Sequence, residues 1–192
     1  EVGEAIWALY LAGAVLLAIS LTPRHVLSRR RRINLHDLQL VAYYIFTTVV
    51  FSGLLTNLFK NLIGRARPQF TPEGMVGLSR PFGDYYDFAS FPSGHATTAG
   101  ALAMALSLLV PRLRVFLMLA GAWIAISRPV LGVHFPSDIV AGFCFGAWFS
   151  WVYARSFARK RLLFAFGADG GLRSVATFSQ GRRAARVAEV VR

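Results

Sequence analysis

Charge is scarce in this chain. Only 16% of its 192 residues are Asp, Glu, Lys or Arg, where a soluble domain carries about 25%. Acid is scarcest: nine Asp and Glu stand against 21 Lys and Arg, for a formal net charge of +12. The one acidic pair in the central loop, Asp84 and Asp87 in "GDYYD", is too little for a two-metal hydrolase, so no metal or other cofactor is expected. Lysine is nearly absent too, being confined to Lys60 and Lys160, so the positive charge is almost wholly arginine. The single cysteine, Cys144, excludes an intrachain disulfide and cannot make a metal site alone; it is expected to be a small buried apolar side chain. A P-loop pattern, an internal repeat and a signal peptide with a small-residue cleavage site are all missing. A basic chain invites a nucleic-acid reading, but these arginines crowd the ends of apolar runs, which fits membrane topology rather than a binding groove.

Apolar runs are what the chain has in abundance, at 55% hydrophobic residues. Five stand out, over residues 5–22, 38–59, 96–110, 115–131 and 135–154. The second is uncharged and long enough to cross about 30 Å of hydrocarbon at about 1.5 Å per residue. The last three reach that length only if the polar residues at their ends join the same helices. The pattern predicts an all-α, polytopic membrane helix bundle of five transmembrane helices, with an extracytoplasmic cap loop of short helical pieces over residues 64–92. Residues 1–166 would form the membrane-embedded domain. Residues 167–192 would be a basic cytoplasmic tail, for which a frayed end and a short amphipathic helix both fit.

Arginine clusters orient the helices. Arg24 and Arg29 to Arg32 follow the first run, Arg112 and Arg114 sit in the tight turn "PRLR", and Arg155, Arg159, Lys160 and Arg161 follow the fifth. Alternating crossings put all three on one side, which the positive-inside rule makes the cytoplasm. Lys60, Arg65, Arg67, Arg80 and Arg128 fall on the outer side against that rule, which points to work other than orientation.

Three polar clusters then share the outer face. In "KNLIGRARP", Lys60 and Arg67 are either snorkelling cations at a helix end or anion ligands. In "FPSGHATTAG", Pro92 and Ser93 suit a helix start, Gly94 lets a ligand approach the backbone, and the free amides attract phosphate beside His95. A capping motif with a chance histidine is the plainer alternative. In "SRPVLGVHFPSDIVAG", His134 and Asp138 share a helix face, and a carboxylate bonded to one imidazole nitrogen leaves the other free to react. Arg128, six residues earlier, offers a fork that matches phosphate oxygens; an Arg128–Asp138 ion pair linking two helices is the structural alternative. A Ser93 nucleophile served by His95 is disfavoured by their two-residue spacing. Cations, two imidazoles, one carboxylate and a helix-start nest together fit phosphoryl transfer through a phosphohistidine.

These three stretches, in this order and spacing, resemble the signature of the type 2 phosphatidic acid phosphatase superfamily, which includes lipid phosphate phosphatases and vanadium haloperoxidases. The resemblance implies that Lys60, Arg67 and Arg128 hold phosphate oxygens with Ser93 and the Gly94 amide. It implies that His134 is the nucleophile oriented by Asp138, and that His95 protonates the leaving oxygen and then activates water, without a metal. Membrane members typically have six helices, so the five seen here point either to a further helix before Glu1 or to a divergent start. The expected protein is a lipid phosphatase of the plasma (inner) membrane, its site facing the periplasm or cell exterior. The alternatives are a lipid-to-lipid phosphotransferase and a non-catalytic lipid-phosphate binder or flippase. Substrate candidates by analogy are undecaprenyl pyrophosphate, phosphatidylglycerol phosphate, phosphatidic acid and lipid A.

Overall fold

The structure is a computed structural model, and it describes residues 13–22, 28–71, 78–84, 87–130, 132–167 and 170–175. The described chain is mostly helical. Helix α1 covers 13–21, α2 Arg29–Ile63, α3 Gly94–Leu109, α4 Arg114–Val130 and α5 Pro136–Arg159. Two strands follow, β1 Phe164–Phe166 and β2 Leu172–Ser174. All five apolar runs therefore contain helix. By length and composition one helix, over Arg31–Ile63, is long and apolar enough to cross a membrane, and Gly94–Leu109 is a shorter apolar helix. At about 1.5 Å per residue, the 16 residues of α3 fall short of about 30 Å of hydrocarbon.

Contacts divide the chain into two compact units. The first holds residues 1–47, 108–110 and 152–192, the second 48–107 and 111–151. In the first, Tyr44 is fully buried, stacked on Tyr153 at 6.0 Å and meeting the edges of Phe157 at 5.3 Å and Phe164 at 5.1 Å. Phe164 opens an antiparallel hairpin in which Phe164, Ala165 and Phe166 pair with Ser174, Arg173 and Leu172. The sequence expectation of a frayed or helical segment from residue 167 is thus corrected for 172–174, which are strand. The expected amphipathic helix over 181–192 lies outside the described residues.

In the second unit α2 is built inside out. Thr48, Ser52, Thr56 and Lys60, four residues apart, are buried, while Phe51, Leu54, Leu58 and Leu62 are exposed. The four-residue step keeps the hydroxyls on one helix face. A helix that hides its polar face and shows its large apolar one suits a hydrocarbon surround. Helix α4 likewise exposes Phe116, Leu119, Trp123, Ile124 and Ile126. Cys144, expected to be buried, is exposed on α5.

Small residues bring α3, α4 and α5 into main-chain contact. A Cβ on Gly146 would lie 2.0 Å from the Thr97 carbonyl oxygen, one on Gly142 2.5 Å from that of Ser93, and one on Gly100 2.1 Å from that of Phe143. A Cβ on Gly121 of α4 would lie 2.6 Å from the Ala103 side chain and 3.2 Å from the Ala99 carbonyl oxygen. Ala96, Ala99, Ala125 and Ile139 form the buried core here, with Phe143 packed against them. Small side chains at helix interfaces are the usual device where lipid, not water, surrounds the bundle.

Candidate active site

The end of α2 is fixed first. Gly64 adopts φ +59°, the left-handed conformation that closes a helix, and its N–H donates to the Lys60 carbonyl at 2.8 Å. The Phe82 amide donates to Asn61 O at 2.8 Å, and the Ser79 hydroxyl to Ile63 O. Carbonyls left open by the last turn are thereby taken up by the returning loop. This seats Lys60 with 6% exposure and Arg67 with 4%. Long cations are removed from water only where anionic or polar partners meet them.

Helix α3 starts at Gly94, immediately after the fully buried Ser93. The Ser93 hydroxyl accepts a hydrogen bond from the Ala96 amide at 3.4 Å, as an N-cap does. Its carbonyl accepts from the Thr97 amide and hydroxyl, and Thr56 of α2 donates to the Thr97 hydroxyl at 3.2 Å. A Cβ on Gly94 would meet nothing within 4 Å, so the backbone here has open space beside it. His95 follows, half-buried, with its Nε2 atom buried.

Helix α5 starts at Pro136, and Asp138 lies in its first turn. The Asp138 carboxylate accepts from the Phe135 amide at 3.0 Å while the Asp138 amide donates back to Phe135 O at 3.0 Å, a reciprocal cap. The same carboxylate accepts from Ser90 Oγ at 2.5 Å and from Arg65 Nη1 at 2.6 Å. That Arg65 nitrogen also donates to Ser137 Oγ at 2.8 Å, and the guanidinium lies 4.3 Å over the Phe135 ring. His134, 3% exposed, places Nδ1 3.7 Å from Asp138 Oδ2 and 3.5 Å from Ser90 Oγ.

Backbone bonds complete the junction. The Ser90 amide donates to Arg65 O at 3.0 Å and the Ser93 amide to Asp138 O at 3.0 Å. Segments 60–68, 90–95 and 134–138 are thus stitched together around one carboxylate. The structure brings His134 beside Asp138, but the expected direct hydrogen bond between them is replaced by a wider contact with Ser90 alongside. The ion pair to Asp138 comes from Arg65. Arg128 lies in the last turn of α4, and its side chain lies outside the described residues. Ser90 and Arg65 are the residues that sequence reasoning missed as site members. Arg65 did carry a signal, as a cation in a loop where the topology expected from the sequence disfavours one.

Beside the junction lies an apolar groove of about 280 Å³, lined by Phe59, Ile63, Phe91, Pro92, Ala141 and Phe145. Phe59 adjoins Lys60, and Pro92 adjoins Ser93. Among the described residues no three His, Cys, Asp or Glu side chains group as metal ligands would.

A mostly helical protein with a buried histidine beside a buried carboxylate, two buried cations and a serine-capped helix start is the class that these observations define. The chain belongs to the PAP2 superfamily, whose family model matches residues 41–162. It is 43% identical over 171 residues to a lipid A 1-phosphatase of Rhizobium johnstonii, covering 88% of this chain and 69% of that protein. It is 50% identical over 131 residues to a lipid A 1-phosphatase of Rhizobium etli, covering 68% of this chain and 56% of that one. A decaprenylphosphoryl-5-phosphoribose phosphatase of Mycobacterium tuberculosis is 41% identical over 92 residues, 47% of this chain and 46% of its own length. The crystal structure of a transmembrane PAP2-type phosphatidylglycerolphosphate phosphatase from Bacillus subtilis aligns with a TM-score of 0.46 at 22% identity, covering 82% of this chain and 88% of that one.

Proposed function

We propose that this chain is a membrane lipid phosphatase that removes a phosphate from a lipid head group through a phosphohistidine, without a metal. The observation that carries the reading is the junction at Asp138, where three distant segments meet through hydrogen bonds from Arg65, Ser90 and the Ser93 amide. His134 Nε2 attacks phosphorus, and the ester oxygen leaves with the bonding pair and takes a proton from His95. A water deprotonated by His95 then attacks the phosphohistidine, releasing phosphate and restoring the imidazole. Lys60, Arg67 and Arg128, with Ser93 and the Gly94 amide, neutralise the phosphoryl oxygens. Most of the acceleration in phosphoryl transfer comes from such placement.

The groove beside Lys60 and Ser93 takes the hydrocarbon next to the head group. The relatives named lipid A 1-phosphatase support the 1-phosphate of lipid A as the first substrate to try. Five transmembrane helices, of which α2 through α5 are the last four, hold the site at the outer face of the plasma membrane. The outward apolar faces of α2 and α4 support immersion in hydrocarbon.

The test is phosphate release by the purified chain in detergent with EDTA, from lipid A, phosphatidic acid, phosphatidylglycerol phosphate and undecaprenyl pyrophosphate. Wild type should release phosphate from at least one lipid, and His134→Ala from none. Equal release by the variant, or dependence on an added divalent ion, would sink the mechanism. Transfer of the phosphate to a second lipid added to the assay would identify a phosphotransferase.

A further inference from the structure

We propose that Ser90 is a positioning residue for His134, carrying the orienting hydrogen bond between imidazole and carboxylate through its hydroxyl. The inference rests on His134 being the nucleophile of the proposed reaction. Its direct partner would be Asp138, but Nδ1 lies 3.7 Å from Oδ2, beyond hydrogen-bond length. Ser90 Oγ lies beside both groups, 2.5 Å from Oδ2 and 3.5 Å from Nδ1, and so is nearer to the ring nitrogen than the carboxylate oxygen is; Ser90 is fully buried.

The carboxylate is not free to swing across. Arg65 holds Oδ1 at 2.6 Å, and the Phe135 amide shares Oδ2 at 3.0 Å. Reaching Nδ1 directly would break a charge-assisted bond. A serine hydroxyl has one proton and two lone pairs. Its proton goes to Asp138, because a carboxylate only accepts. What Ser90 presents to Nδ1 is therefore a lone pair, and Nδ1 must carry the proton. That tautomer leaves the Nε2 lone pair for phosphorus. When the P–N bond forms, the ring becomes cationic with Nδ1–H still in place; the hydroxyl dipole, aligned by the carboxylate, stabilises that charge and no further proton moves. Catalytic hydrogen bonds are commonly long before substrate binds and shorten in the reactive complex; the 3.5 Å contact to Ser90 has less to close than the 3.7 Å contact to Asp138, whose carboxylate Arg65 and the Phe135 amide hold in place.

The experiment compares wild type with Ser90→Ala, Ser90→Cys and Ser90→Thr, each as the full chain in detergent. It measures kcat and KM on whichever lipid phosphate the wild type hydrolyses, and the His134 tautomer by nitrogen-15 NMR. Ser90→Ala should lower kcat on the order of 10²-fold with KM little changed, as expected for a misaimed reactive group. Ser90→Cys keeps the shape but bonds weakly, and it should lose as much while staying folded. Ser90→Thr keeps the hydroxyl and should recover most of the rate. Wild type should show protonated Nδ1 and bare Nε2, and the two defective variants a mixture of tautomers. A wild-type kcat and tautomer in the folded cysteine variant would overturn the proposal, as would a threonine variant no better than alanine. If wild type hydrolyses no lipid, the function reading fails, while the tautomer comparison still decides the role of Ser90.

Discussion

Asp138 binds Arg65 Nη1, Ser90 Oγ and the Phe135 amide at once, and removing its charge touches all three. Asp138→Asn keeps the shape but offers one acceptor oxygen and an NH₂ group that faces donors. Its kcat should fall by about 10²–10⁴-fold, measured as phosphate release at saturating lipid. Retention of more than a tenth of the wild-type rate would mean that the carboxylate does little for the imidazole. At this scale the sequence was informative where residues are near in the chain. The four-residue step from His134 to Asp138 puts both at one helix start, and they do lie together. Ser90 and Arg65 could not be read the same way, being 48 and 73 residues from Asp138. Only the folded chain shows which of several loop arginines turns to the carboxylate.

The helices themselves were legible as apolar runs, because α2 contains its expected stretch and α3, α4 and α5 cover theirs to within one residue, with the other ends extended to include flanking polar residues. The packing between them was less so. The spacing of Gly142 and Gly146 is visible in "GFCFG", yet its meaning depends on Gly100 and Thr97 of α3 lying opposite. Gly146→Ala would drive a methyl to 2.0 Å from the Thr97 carbonyl. It should cost about 1–3 kcal/mol as an overpacked contact and lower turnover, read by thermal unfolding in detergent alongside phosphate release. An unchanged melting temperature would contradict the close approach. Ala141 lines the apolar groove, where a larger side chain fills the space that the proposed function assigns to hydrocarbon. Ala141→Phe should raise KM for long-chain lipid phosphates several-fold more than for short-chain ones. An equal effect on both would remove the groove from substrate binding.

For the whole molecule, arginine placement predicts the topology that composition alone leaves open. In a Cys144→Ser background, cysteine at Leu113 should react only with reagents on the cytoplasmic side, and cysteine at Phe82 only with reagents outside. Both positions are exposed. The same side for both would invert or break the proposed crossing pattern. The hairpin of Phe164–Phe166 with Leu172–Ser174 escaped the sequence because three-residue strands carry no usable periodicity and glycine at 167, 170 and 171 reads equally as loop. The glycine contacts between α3 and α5 reach further than stability. Each of these helices begins at the junction, one just before His95 and the other just after His134. With backbone meeting backbone so closely beneath, little side-chain bulk lies between the two helices to give, and the two imidazole-bearing tips are carried by one tightly joined pair.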